Sequence, residues 1–178
     1  MKTYKVNEIF YSLQGEGCHT GTPAVFVRLS GCNRACPFCD TDHAAGRAMT
    51  AAEIAAEVAQ YPARHIVITG GEPALQIDEA LVAVLKSKGH YLQIETNGSL
   101  PLPDGIDWVT CSPKDEPWRI GHVDELKIVY QGQDVEAIAS RFDARALCLQ
   151  PCSGANIPET VAYIMAHPHW RLSLQTHK

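Results

Sequence analysis

The chain has 178 residues, 46% hydrophobic and 20% charged, so it can bury a core without disulfide support and reads as one domain over residues 1–178. A net charge of −5, a pI near 5.9 and the lack of any Lys or Arg run exclude nucleic acid as the main partner, because neutralising phosphates needs a basic face. No apolar run reaches the length of a membrane span and the start MKTYKVNEIFYS lacks the apolar stretch of a secretory signal, so a cytoplasmic protein with no membrane partner is expected.

In chain order, residues 24–30 (AVFVRLS) form the first predicted strand, and a cysteine-rich loop follows it. Thr50-Ala-Ala-Glu53 is a capping box that opens a helix of strong helix formers, AAEIAAEVAQ. HIVIT, residues 65–69, is β-branched and continuous, as a strand buried on both faces should be, and it breaks at Gly70-Gly71. A second helix runs from about Asp78 to Lys88, with Ala80, Leu81, Val84 and Leu85 on one face and Gly89 at the cap. Further strands are expected at residues 91–95, 108–112, 125–129, 146–150 and 171–175, with helices at 135–142 and 158–167. Residues 100–107, rich in Pro, Gly and Asp, form a loop within the domain.

Alternating strands and helices imply a parallel sheet with right-handed crossovers. Seven strands with few helices fall short of a full eight-fold barrel of about 250 residues. The expected class is therefore α/β, an abbreviated, open parallel (β/α) barrel. Polar and glycine-rich residues follow the strands at Thr69-Gly-Gly-Glu-Pro73, Glu95-Thr-Asn-Gly98, Ser112-Pro-Lys114, Gln150-Pro151 and Gln175-Thr-His177. Strand ends of a parallel sheet share one face, so these five exits and the cysteine loop converge on one site.

Seven cysteines is an odd count, and clustering of three within eight residues points to metal rather than disulfides. Cys18, Cys111, Cys148 and Cys152 are scattered and are expected to be small buried hydrophobes. Cys32, Cys36 and Cys39 form a C-x3-C-x2-C run. Three thiolates on a four-iron cube leave one iron without a protein ligand, free to take a chelate such as the amino and carboxylate groups of a methionine. The competing reading is zinc completed by a histidine, His43 being nearest in sequence. A third is a structural α/β protein with buried cysteines, which Gly, Asn, Pro and Asp between the thiols make a poor core.

With Phe38 before its last cysteine, the run resembles the radical S-adenosylmethionine (SAM) superfamily. Glu8-Ile-Phe-Tyr-Ser-Leu-Gln-Gly-Glu-Gly17, Phe26-Val-Arg28, Gly31-Cys-Asn33, Cys39-Asp-Thr41, Thr69-Gly-Gly-Glu-Pro73, Glu95-Thr-Asn-Gly98, Ser112-Pro-Lys114 and Leu174-Gln-Thr-His-Lys178 together are similar to the 7-carboxy-7-deazaguanine synthase family over essentially the whole chain. LQGEG and the last block discriminate, because the cysteine run alone marks only the superfamily. The resemblance implies conversion of 6-carboxy-5,6,7,8-tetrahydropterin to 7-carboxy-7-deazaguanine with loss of ammonia, on the route to queuosine. It implies a [4Fe-4S] cluster, SAM and Mg²⁺ as cofactors, an electron donor such as flavodoxin, a homodimer, and a barrel of the radical SAM type. Another radical SAM enzyme, such as a glycyl-radical activase, would share the cysteines and the GGE element without needing LQGEG or Arg28.

Carried over residue by residue, the resemblance assigns the cluster to Cys32, Cys36 and Cys39 and an Mg²⁺ ligand to Thr41. It places Phe38, Cys39, Asp40, Gly71, Glu72, Ser112, Pro113, Lys114 and Gln150-Pro151-Cys152-Ser153 near SAM. Leu13, Gln14, Gly15, Glu16, Arg28, Thr69 and His177 fall to the substrate, and Glu95 and Asn97 to the pocket wall. Arg28 suits a substrate carboxylate because its planar fork pairs with one in bidentate fashion. The family's usual tail beyond the QTHK block, which helps enclose substrate, has no counterpart after Lys178, and the stretch between the cluster and the first helix is short.

Overall fold

The computed structural model describes residues 2–36 and 45–176. Its strands are β1 (Tyr4–Leu13), β2 (Pro23–Leu29), β3 (Arg47–Met49), β4 (His65–Gly70), β5 (Tyr91–Thr96), β6 (Trp108–Cys111), β7 (His122–Tyr130), β8 (Asp143–Pro151) and β9 (Arg171–Leu172). They form one nine-stranded sheet in the order β3-β1-β2-β4-β5-β6-β7-β8-β9. From β2 to β9 every neighbouring pair is parallel, which is the expected open (β/α) sheet. The sequence reading missed the far edge, where β1 runs antiparallel to both β2 and β3. It also made the last strand too long, since only Arg171 and Leu172 pair with β8.

Among the described residues four α-helices fill the connections: α1 (Ala51–Val58), α2 (Glu79–Lys86), α3 (Val135–Ala139) and α4 (Ile157–Ala166). The capping box forms as expected: Thr50 Oγ1 accepts from the Glu53 amide at 3.3 Å, and Glu53 Oε2 accepts from the Thr50 amide at 2.7 Å. Asp78 caps α2 by accepting from the Leu81 amide at 3.0 Å, and it also accepts from Tyr4 Oη and Lys2 Nζ, each at 2.6 Å. One carboxylate thereby fixes the start of α2 to β1.

Alternation along the strands sorts side chains to two faces. Val25, Val27, Leu29, Ile66, Ile68, Leu92 and Ile94 point outward and pack with Ile54, Val58, Leu81 and Leu85 of α1 and α2. Leu126, Ile128 and Leu149 join Val135 and Trp170 in a second cluster. Each such side chain contributes about 1.5–3 kcal/mol when fully buried. The intervening residues, Arg28, Thr69, Glu95, Lys127 and Gln150, face the concave side and line a cavity there.

The loop between β1 and β2 closes the gap between the two edges of the sheet. Its base is held by the Gln14 amide on Thr22 O and the Gly21 amide on Gln14 O, both at 2.8 Å. The chain beyond β9 reaches across to it. Thr176 donates to Gly15 O from its amide at 3.1 Å and from Oγ1 at 3.0 Å, and the Gly17 amide donates to Ser173 Oγ at 2.8 Å. The residues after the last strand thus act as a latch on the Gln14–Gly17 segment.

Candidate active site

The strand exits open into a cavity of about 570 Å³, the size range of a small-molecule site. Gln14 is buried; its Nε2 donates to Glu95 Oε1 at 3.3 Å and its Oε1 accepts from the Glu16 amide at 3.2 Å. Glu16 accepts from Lys127 Nζ at 2.5 Å and from Gln175 Nε2 at 2.9 Å. Lys127 also donates to Glu95 Oε2 at 2.9 Å, so one buried ammonium bridges two carboxylates. Burial by itself would lower the Lys127 pKa, but Glu95 and Glu16 outweigh it and hold it well above that of an ordinary lysine. Burial pushes the Glu95 carboxyl up to about 7, against the downward pull of Lys127.

The opposite wall comes from β1 and β2. Phe10 and Phe26 stack with ring centroids 4.9 Å apart, and the Arg28 guanidinium lies 5.8 Å from the Phe10 ring. Arg28 Nε donates to Glu8 Oε1 at 2.8 Å. Two flat aromatic faces beside an arginine fork can hold a planar ring that carries an anionic substituent.

Cys32 and Cys36 also line this cavity. Gly31, just before Cys32, is fixed through its carbonyl, which accepts from the Glu72 amide at 3.0 Å. The Gly70-Gly71 exit passes so close that a Cβ on Gly71 would sit 2.1 Å from Gly31 O and 2.9 Å from Cys32 Cβ. Asn33 donates to Ser99 Oγ at 2.8 Å and accepts from Asn97 Nδ2 at 3.0 Å, and Arg34 Nη2 donates to Asp115 O at 2.8 Å. The start of the cysteine loop is therefore fixed to three strand exits. Burial lowers the Lys114 pKa, and the nearby Cys36 opposes that shift. Two thiols on one wall, neither in a disulfide and one beside a lysine, form a donor set that fits thiolate ligation of an iron–sulfur cluster.

The structure brings most of the expected residues to one place. Leu13, Gln14, Gly15, Glu16, Arg28, Thr69, Gly71, Glu95, Asn97, Ser112, Lys114 and the Gln150-Pro151-Cys152-Ser153 block all line the cavity. Phe38, Cys39, Asp40, Thr41, His43 and His177 lie outside the described residues. Glu72 and Pro113 are not on the wall. The Glu72 carboxylate is buried behind it and accepts from Thr96 Oγ1 at 2.7 Å, the Asn97 amide at 2.6 Å and the Ala74 amide at 2.9 Å. What this element presents to the cavity is Thr69, Gly70 and Gly71. Lys127, Asn7, Glu8, Phe10 and Phe26 line the site without having been singled out.

The model of the Radical SAM superfamily matches residues 26–113, from β2 to just after β6. That match agrees with the parallel sheet and the two cavity-lining thiols: the class is that of a radical SAM protein, which the relatives below bear out. A 7-carboxy-7-deazaguanine synthase of Bacteroides thetaiotaomicron is 59% identical over 176 residues, covering 98% of this chain and 96% of that one. Another from Bradyrhizobium diazoefficiens is 41% identical, covering 99% and 97%. The crystal structure of QueE from Escherichia coli matches with a TM-score of 0.81 at 31% identity, covering 98% of this chain and 95% of that one. The chain belongs to the 7-carboxy-7-deazaguanine synthase family.

Proposed function

We propose that this chain converts 6-carboxy-5,6,7,8-tetrahydropterin to 7-carboxy-7-deazaguanine with loss of ammonia, as a radical SAM lyase of queuosine biosynthesis. The observation that carries the reading is one cavity shared by Cys32 and Cys36 on one side and Arg28, Gln14 and Glu16 on the other. Cys32, Cys36 and Cys39 would hold the cluster, which with SAM would supply radical hydrogen-transfer chemistry at the substrate.

The chain's own residues bind and orient. Arg28 takes the pterin carboxylate, exchanging its Glu8 contact for a substrate anion, while Phe10 and Phe26 cover a ring face. Gln14, Glu16 and Glu95 offer one amide and two carboxylates to the donors of the pterin edge, with Lys127 holding both carboxylates in place. Gly70 and Gly71 pack against the backbone of Leu29 and Gly31, which sets this exit beside Cys32 in the SAM site, and Ser112, Lys114 and residues 150–153 complete that site. Thr41 provides an oxygen ligand to Mg²⁺, and His177 belongs to the substrate-binding set, as the family resemblance implies. The enzyme works as a single domain of residues 1–178, a cytoplasmic homodimer reduced by a flavodoxin-type donor.

Arg28→Ala tests the assignment. After anaerobic reconstitution the variant should keep the iron content of the parent, still cleave SAM, and form no 7-carboxy-7-deazaguanine. Normal turnover by this variant would overturn the substrate assignment.

A further inference from the structure

We propose that Cys18, Glu125 and Cys148 form a second metal site for a borderline-soft divalent cation such as Zn²⁺, separate from the cluster cysteines. Cys18 lies in the short 3-10 turn Gly17–His19, Glu125 in the middle of β7 and Cys148 in β8. The two Sγ atoms and a Glu125 carboxylate oxygen all lie within 4.8 Å of one another. Tetrahedral Zn²⁺ with bonds of about 2.3 Å to sulfur requires ligand atoms about 3.8 Å apart, so a contraction of at most about 1 Å would close the site.

The surroundings supply an independent reason. Glu125 is 1% exposed, and its Oε1 has no hydrogen-bond partner of good geometry, the Cys18 thiol being its close neighbour. Oε2 accepts from the Cys18 amide of the turn at 3.0 Å and from Trp108 Nε1 of β6 at 3.4 Å, so both satisfied contacts fall on the same oxygen. Among the described residues no cation pairs with Glu125, because the nearby Lys127 is engaged by Glu16 and Glu95. A buried carboxylate without a direct ion pair is costly, and a divalent ion at this position would offset that cost. Gly17 has φ +67, and a Cβ there would fall 1.9 Å from Glu125 Oε1, so only glycine lets the turn approach this closely. The next residue, His19, has a buried Nδ1 that also lacks a partner. Two thiolates and one carboxylate suit zinc rather than Mg²⁺, and the half-buried Cys18 gives the ion an entry path.

Glu125 lies two residues before Lys127 on the same strand face, one layer below the Lys127–Glu16–Glu95 group. An ion there would fasten the turn to β7 and β8, and so hold Gln14 and Glu16 at the cavity. It is a positioning site, not part of the reaction.

The test uses the full chain, anaerobically reconstituted, and a cluster-free form with Cys32, Cys36 and Cys39 replaced by Ala. Both are equilibrated with Zn²⁺, desalted and analysed for metal. The expected result is one zinc per chain in both forms. Cys148→Ser and Cys18→Ser should each weaken zinc binding by at least about 100-fold while iron content stays at the parent level. Zinc should also protect Cys18 and Cys148 of the unsubstituted chain from alkylation, a readout that needs no variant. No zinc retained by the parent, zinc retained at the parent level by either serine variant, or a Cys18–Cys148 disulfide in place of the ion would overturn the proposal.

Discussion

Replacing Lys127 with Met isolates the electrostatics that preorganise the site. The Lys127 side chain is 4% exposed and bridges Glu16 at 2.5 Å and Glu95 at 2.9 Å. Methionine fills much of the same volume but leaves two carboxylates facing each other without a cation. Breaking a buried pair in this way costs about 3–5 kcal/mol. With a urea slope of about 2 kcal/mol per molar, the midpoint falls by about 1.5–2.5 M. The loss depends on pH. Burial already raises Glu95 to about 7, above its reference of 4.5, so the folded state holds its proton more tightly than the unfolded chain. Stability from this group is fully present below pH 4.5 and is lost as pH rises through 7. Without Lys127 the folded pKa of Glu95 rises further, so the window of loss extends upward. The gap between parent and variant should be smallest near pH 5 and largest near pH 8, and Glu95→Gln should recover part of it. Urea titrations of reconstituted protein across that range give the answer. A gap under about 1 kcal/mol at pH 8, or one that does not change with pH, would refute the reasoning.

Gly71→Ala places a methyl 2.1 Å from Gly31 O, so the cysteine loop must shift; iron bound per chain should fall even though no thiol is changed. Asp78→Ala removes a helix cap and the partner of the buried Tyr4 hydroxyl, and should cost about 2 kcal/mol in a denaturation titration. Burial acts to raise the Asp78 pKa, but Lys2, Tyr4 and the Leu81 amide hold it at about 2, below its reference of 3.8. The stability that Asp78 provides is thus present above pH 3.8 and lost as pH falls through 2, and the Ala variant should lack this acid-side loss. Thr176→Val removes one of the two hydrogen bonds from Thr176 to Gly15 O, so substrate KM should rise with kcat and iron content little changed.

Each of the seven strands expected from the sequence has a counterpart, the last shortened to two exposed residues, because the apolar positions of the others pack toward the helices. β1 was missed for a specific reason. Its register shifts between Val6 and Glu8, which breaks the period-two pattern that would have marked YKVNEIFYSL as a strand. β3, at three residues, carries too little pattern to see. The predicted strand at 171–175 stops early because the chain turns across the sheet gap, where Ser173 and Thr176 hold the Gly15–Gly17 segment. The cavity residues were legible where a motif named them. Lys127 was not, although charge at alternate positions of DELKIV, Glu125 and Lys127, is a signal of a polar interior face. Phe10 and Glu8 were quoted only as part of a block, and without β1 as a strand nothing placed them opposite Arg28. The Bradyrhizobium relative aligns over 208 positions, more than this chain's 178 residues, so it carries inserted segments. The short stretch after the cluster cysteines is consistent with that.

Electron paramagnetic resonance of the reduced, reconstituted chain, recorded before and after SAM is added, bears most directly on the claim that the cysteine loop presents an iron with room for a ligand. The account predicts a [4Fe-4S] signal that shifts when SAM arrives. Iron that SAM leaves unperturbed, or a chain that retains zinc at Cys32 and Cys36 and no iron, would contradict it.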